Sequence, residues 1–101
     1  MIEIKDEKIK KIIFDANNKL KNLNFQTHID RSESAECTFI YARHNEHILT
    51  LWLDVFDDYE IIMIVTQFFR SFEYRSYVGD LDTIFEKFKS DMEKHFDKYK
   101  Q

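Results

Sequence analysis

Few residues of this chain are of the kinds that do chemistry, and their spacing decides how far each can be taken. Four histidines, His28, His44, His47 and His95, are where a metal or acid–base site would start. His44 and His47 form an H-x-x-H, but the pair brackets the turn His44-Asn45-Glu46-His47. The i, i+4 spacing that sets two imidazoles on one helix face is absent. His28 falls on the polar side of an alternating segment, and His95 beside the apolar stripe of a C-terminal helix. Neither has a sequence neighbour placed to tune its pKa. Asp54, Asp57, Asp58 and Glu60 crowd one hairpin end, and carboxylates in that number are the hard ligands Ca²⁺ prefers. The D-x-D-x-D-G spacing is missing and no glycine lets the loop wrap an ion, so these acids read as turn formers. Cys37 is the one cysteine, which excludes an intramolecular disulfide and a thiolate zinc cluster. Within Cys37-Thr38-Phe39-Ile40 it reads as a small buried hydrophobe, in mid-strand and away from any helix N-terminus that would lower its pKa. No G-x-S-x-G occurs. No catalytic residue, metal site or cofactor is expected, and EDTA should leave the melting temperature unchanged.

Composition narrows the classes further. One glycine and no proline exclude a Gly-rich phosphate loop, because β-carbons keep the backbone from approaching a phosphate. Residues 5–23 hold six Lys against three acids, while residues 24–60 hold two Arg against eight Asp or Glu. With a net charge of −4 and no Arg among the helix cations, nucleic acid is not an expected partner. The first residues lack the apolar stretch of a signal peptide, and the longest apolar run, Ile61 to Val65, falls far short of the roughly 20 residues a membrane span needs. A cytoplasmic location follows as the expectation, with no membrane partner.

These residues need elements to position them. At 101 residues the chain has room for a single domain, 1–101. Asp6 precedes apolar positions at Ile9, Ile12, Ile13, Ala16, Leu20 and Leu23, one stripe at helical period, with Asn22 and Asn24 to end it. The period then drops to two. Phe25, Thr27 and Ile29 make one strand, and Cys37 to Ala42 a second. Leu49, Leu51, Leu53 and Val55, opposite Thr50, Trp52 and Asp54, make a third. A fourth, from Tyr59 to about Phe69, is apolar on both faces and therefore central. Asn45 is the turn residue best suited to positive φ. Residues 70–78 either extend the fourth strand or form a fifth. Asp80 caps a final helix whose stripe is Leu81, Ile84, Phe85, Phe88, Met92, Phe96 and Tyr99. The expected fold is α+β: an antiparallel four- to five-stranded meander with the N- and C-terminal helices packed on one face.

That architecture leaves the other face of the sheet uncovered. Trp52, Ile40 or Tyr41, and the Ile62, Ile64 and Phe68 row of the fourth strand would lie there. Exposed apolar area of that extent generally marks a partner or a homodimer. Beside it runs Phe72-Glu73-Tyr74-Arg75-Ser76-Tyr77, rich in the Tyr and Arg of binding hot spots. The candidate partner-binding residues are Trp52, Asp54, Phe72, Tyr74, Arg75 and Tyr77.

In type, a short acidic α+β chain rich in Lys, Ile, Asn and Phe and without catalytic motifs, the sequence is similar to many small inhibitor and immunity proteins of bacteria and their phages. Anti-CRISPR proteins are one such group. The resemblance implies a non-enzymatic protein that blocks another protein's surface, a host protein or a toxin or effector. Two alternatives belong to other classes: a small metal-dependent or acid–base enzyme using the histidines and the Asp54–Glu60 acids, and a homodimeric adaptor or structural protein.

Overall fold

A computed structural model describes residues 2–46, 49–69 and 71–96, with 67–69, 71–74, 95 and 96 described along the backbone alone. Tyr99 and His47 lie outside the described residues, as do the side chains of Phe68, Phe72, Tyr74, His95 and Phe96.

The first helix, α1, spans Glu7–Asn22. Asp6 starts it by accepting at Oδ1 from the backbone N–H of Lys8 (2.9 Å) and Ile9 (3.2 Å), two of the donors a helix start leaves without partners. The helix ends where Asn24 turns left-handed at φ 70°. There the N–H of Phe25 reaches the carbonyl of Leu20 and that of Asn24 the carbonyl of Lys21, the paired bonds of a Schellman motif. Phe25 and Leu20, both buried, supply the apolar contact that accompanies it.

Five strands follow: β1 (Gln26–Ser32), β2 (Cys37–His44), β3 (Leu49–Phe56), β4 (Ile61–Phe69) and β5 (Ser71–Val78). Every neighbour in the order β1-β2-β3-β4-β5 is antiparallel, a meander. Residues 71–78 are thus a fifth strand, folded back on β4 with Phe69 opposite Ser71. β4 starts at Ile61, two residues after the expected Tyr59, because Tyr59 is itself turn backbone at φ 74°. Asn45 is not the residue that goes left-handed. With Gly79 the sole glycine, the described turns place Glu36 (φ 52°) and Tyr59 there, positions where L side chains crowd the backbone. Asp80 caps the last helix, α2 (Leu81–Asp91), by accepting from the N–H of Thr83 at 2.8 Å. A π-helical turn, Met92–Phe96, continues it, a winding that the stripe of apolar residues does not announce.

Pairing decides which strand face is inside. Leu49, Leu51, Leu53 and Val55 are all buried, and their partners across β2 and β4 share that face: Ile40, Ala42, Ile61, Met63 and Val65. α1 lies across β1, β2 and β3 with Ile9, Ile13, Ala16 and Leu20 turned in, and α2 packs against β5. Phe88 of α2 joins the two helices' territories, its ring 6.0 Å from Phe25 and 6.0 Å from Tyr77. Both helices therefore cover one face of the sheet and share one core. No helix among the described residues is long and apolar enough to cross a membrane.

Asp6 also ties α1 to the β3–β4 turn. Its Oδ2 accepts from the Tyr59 hydroxyl at 2.8 Å, and Lys8 Nζ sits 4.3 Å from the Tyr59 ring centroid. The Tyr59 hydrogen bond, then the backbone bonds, hold the Asp6 carboxyl below its ordinary pKa. A carboxylate whose folded pKa is depressed stabilises above its unfolded value, and the contribution is lost as pH falls through the folded one. Asp6→Ala should accordingly lower the melting temperature by a few degrees at pH 7, a deficit that closes only below pH 3.8. Thermal melts of the two proteins from pH 7 to pH 2.5 check this.

Candidate functional site: the open face of the sheet

The face turned away from the helices is ordered in rows by the strand register. The central row is His28, Tyr41, Trp52, Ile64 and Ser76. On one side of it run Gln26, Arg43, Thr50 and Thr66, and on the other Asp30, Phe39, Asp54, Ile62 and Val78. Trp52 stands at the centre with 43% of its surface exposed. Its ring centroid lies 4.7 Å from that of Tyr41 and 5.2 Å from that of Phe39, both tilted contacts. Such aromatic pairs fix the indole's orientation before anything binds. Ile62 and Ile64, half-buried, continue the apolar surface onto β4. Thr50 and Thr66 bond to each other, hydroxyl to hydroxyl, at 2.6 Å. No element of the described chain covers this face.

Asp54 breaks that surface. It sits between Phe39 of β2 and Ile62 of β4, half-buried, and accepts no hydrogen bond from the described residues. Burial raises its carboxyl pKa above the ordinary value. For a raised carboxyl the favourable contribution is complete below the unfolded pKa and lost as pH rises through the folded one, so at pH 7 the ionised Asp54 destabilises the fold. Asp54→Asn should raise the melting temperature at pH 7, and the gain should vanish below pH 3.8. A variant no more stable than the parent at pH 7 contradicts this reading of its environment.

The open face contains part of the expected set and rearranges the rest. Trp52 and Asp54 are on it. Tyr41 takes the β2 position and Ile40 is core, because Ile40 pairs with Leu53 on the helix side. Tyr77 and Arg75 are on the opposite, helix-covered face. Tyr77 is 6% exposed, its hydroxyl donates to Asp91 Oδ2 at 2.7 Å, and burial followed by that bond pushes its pKa up. Arg75 Nη1 lies 3.8 Å from the same Asp91 oxygen, so both residues fasten β5 to α2. The run 72–77 is not one surface cluster: period two sends Arg75 and Tyr77 inward and Ser76 outward. Phe39 and Arg43 are members of the face that sequence reasoning misses. β2 is apolar on both sides, and only its register against the clearly alternating β3 shows which side faces out.

The other chemical candidates disperse. His44 is buried on the helix side, edge-on to Phe25 at 5.1 Å, whereas His28 faces the open side, so the sheet stands between them. Asp57 is held bidentate by Arg31 at 3.0 and 2.9 Å, and Arg31 Nε also bonds Glu33 at 3.0 Å. Asp58 Oδ1 accepts from the N–H of Glu60 at 3.1 Å and closes the turn. Among the described residues no three His, Cys, Asp or Glu side chains gather as a metal set. Cys37 is buried at the first position of β2, not in its middle, and burial with the nearby Asp54 charge pushes its thiol up, away from the reactive thiolate. The cleft of about 400 Å³ beside Arg31 is lined by Glu3, Ile4, Lys5 and Asp6, and its one guanidinium is already occupied by carboxylates. Comparison with protein-family models, characterised proteins and solved structures finds no match to this chain.

Proposed function

We propose that this chain is a non-enzymatic protein-binding protein whose working surface is the open face of the sheet, in the manner of a small inhibitor or immunity protein that blocks another protein. One observation carries the reading: a tryptophan 43% exposed at the centre of a continuous aromatic and aliphatic face. A folded domain leaves few large side chains out at such a place without use for them, and Trp is the residue most enriched in interface hot spots. Asp54 supports it, since a half-buried carboxylate without a hydrogen-bond partner among the described residues destabilises the free protein and gains once a partner supplies a donor. A cytoplasmic setting suits a lone neutral thiol. The test compares two baits in a bacterial lysate, the parent chain and Trp52→Ala, the second shown to be folded by its melting curve. A protein captured by the parent and lost with Trp52→Ala is the expected result. Partners captured equally by both baits overturn the reading.

A further inference from the structure

The open face carries opposite charges at its two ends. Arg43 stands one row to one side of Trp52, and Asp30 and Asp54 one row to the other. Rows of one face lie about 6.7 Å apart along the strands. Two identical sheets can stack face to face about a two-fold axis lying in the plane between them, and only two directions for that axis keep the strands aligned. An axis parallel to the strands and passing over Trp52 on β3 returns each row to itself, so Asp54 meets Asp54 and a half-buried like-charge pair results. An axis running across the strands exchanges the outer rows. Trp52 then meets Trp52 and Tyr41 meets Tyr41. Each Arg43, extended from β2, arrives between the β1 and β3 positions of Asp30 and Asp54 of the other copy. Asp54 also comes to rest over Thr50, whose hydroxyl is already bonded to that of Thr66. The first arrangement buries an unpaired carboxylate twice; the second gives each one a guanidinium.

We propose that a second copy of this chain seats on the open face, related by a two-fold axis across the strands at Trp52, with Arg43 of each copy paired to Asp54 of the other. This rests on the reading of the open face as a binding surface and names the occupant of that face in the isolated protein. A target protein then competes with the second copy for the same residues.

Sedimentation equilibrium of the purified chain over a wide concentration range tests this, with Arg43→Asp, Asp54→Arg and the double variant alongside. The wild type should dimerise. Each single reversal should weaken association by about tenfold or more, and the double should recover it, because the reversed charges again face each other. Trp52, the only tryptophan, supplies a readout that needs no variant: its emission should shift to the blue as concentration rises through the dimer range. A wild type that stays monomeric with unshifted emission overturns the pairing. So does a dimer indifferent to the single reversals, or a folded double variant no better than either single. A monomeric wild type leaves the protein-binding reading standing, whereas Trp52→Ala keeping every captured partner overturns that reading.

Discussion

Phe88→Ala should cost about 3–5 kcal/mol, a larger loss of stability than either Asp6→Ala or Trp52→Ala. Phe88 is fully buried, and its ring touches Phe25 after α1, Tyr77 on β5 and Phe85 one turn back in α2. Truncation removes the transfer free energy of a whole aromatic ring. It also opens a cavity lined by residues from three different parts of the chain, which cannot all collapse toward it. A domain of this size is stable by roughly 5–15 kcal/mol in total, so the variant is left marginal or unfolded at 37 °C. Urea unfolding followed by circular dichroism measures the loss. A change below about 1 kcal/mol would mean that α2 does not share the core with α1, and the two-helices-on-one-face architecture would be wrong.

Trp52→Ala should behave in the opposite way. The indole is larger than the Phe88 ring, yet it stands on the open face with its neighbours Tyr41 and Phe39 beside it and nothing of the described chain above it. Losing it removes two aromatic contacts and partly exposed area, while the core beneath, Leu51 and Leu53, stays covered by the helices. Unfolding should remain cooperative with a much smaller stability loss than that of Phe88→Ala. Binding should suffer instead: a central tryptophan anchor is worth about 2 kcal/mol or more, or about thirtyfold in affinity. Calorimetric titration of the captured partner into both proteins checks this. A variant that unfolds at the cost expected of a core aromatic would place Trp52 in the core and dissolve the candidate site.

How much of the fold and of the open face is legible in the sequence follows from where period and chemistry agree. α1 is readable because Asp6, the apolar stripe and Asn24 mark its start, face and end independently; the two ends are bonded and the stripe packs into the core as marked. β3 is readable because its leucines alternate with polar residues and one tryptophan. From that strand alone the side of Trp52 follows. β2 is not, since Phe39, Ile40 and Tyr41 are apolar in succession and either face would bury well. β5 misleads for a different reason. Its Tyr and Arg residues match the composition of an interface, but composition has no direction, and Asp91, the residue that draws Tyr77 and Arg75 inward, lies 14 positions beyond Tyr77. The acidic hairpin reads correctly as a turn, but its use of a left-handed Tyr59 is invisible in the sequence, because the compensation comes from Asp6 on a distant element.

The face that binds can be tested without knowing the partner. A photo-reactive benzoylphenylalanine placed at Ile64, beside Trp52 on β4, reports on the open face with the tryptophan left in place, and one placed at Phe14, an exposed position on α1, reports on the helix side. Irradiation in cells followed by gel electrophoresis should give a heavier band, a crosslink to another polypeptide, from position 64 and none from position 14. A heavier band from position 14 with none from position 64 would contradict the open face as the binding surface.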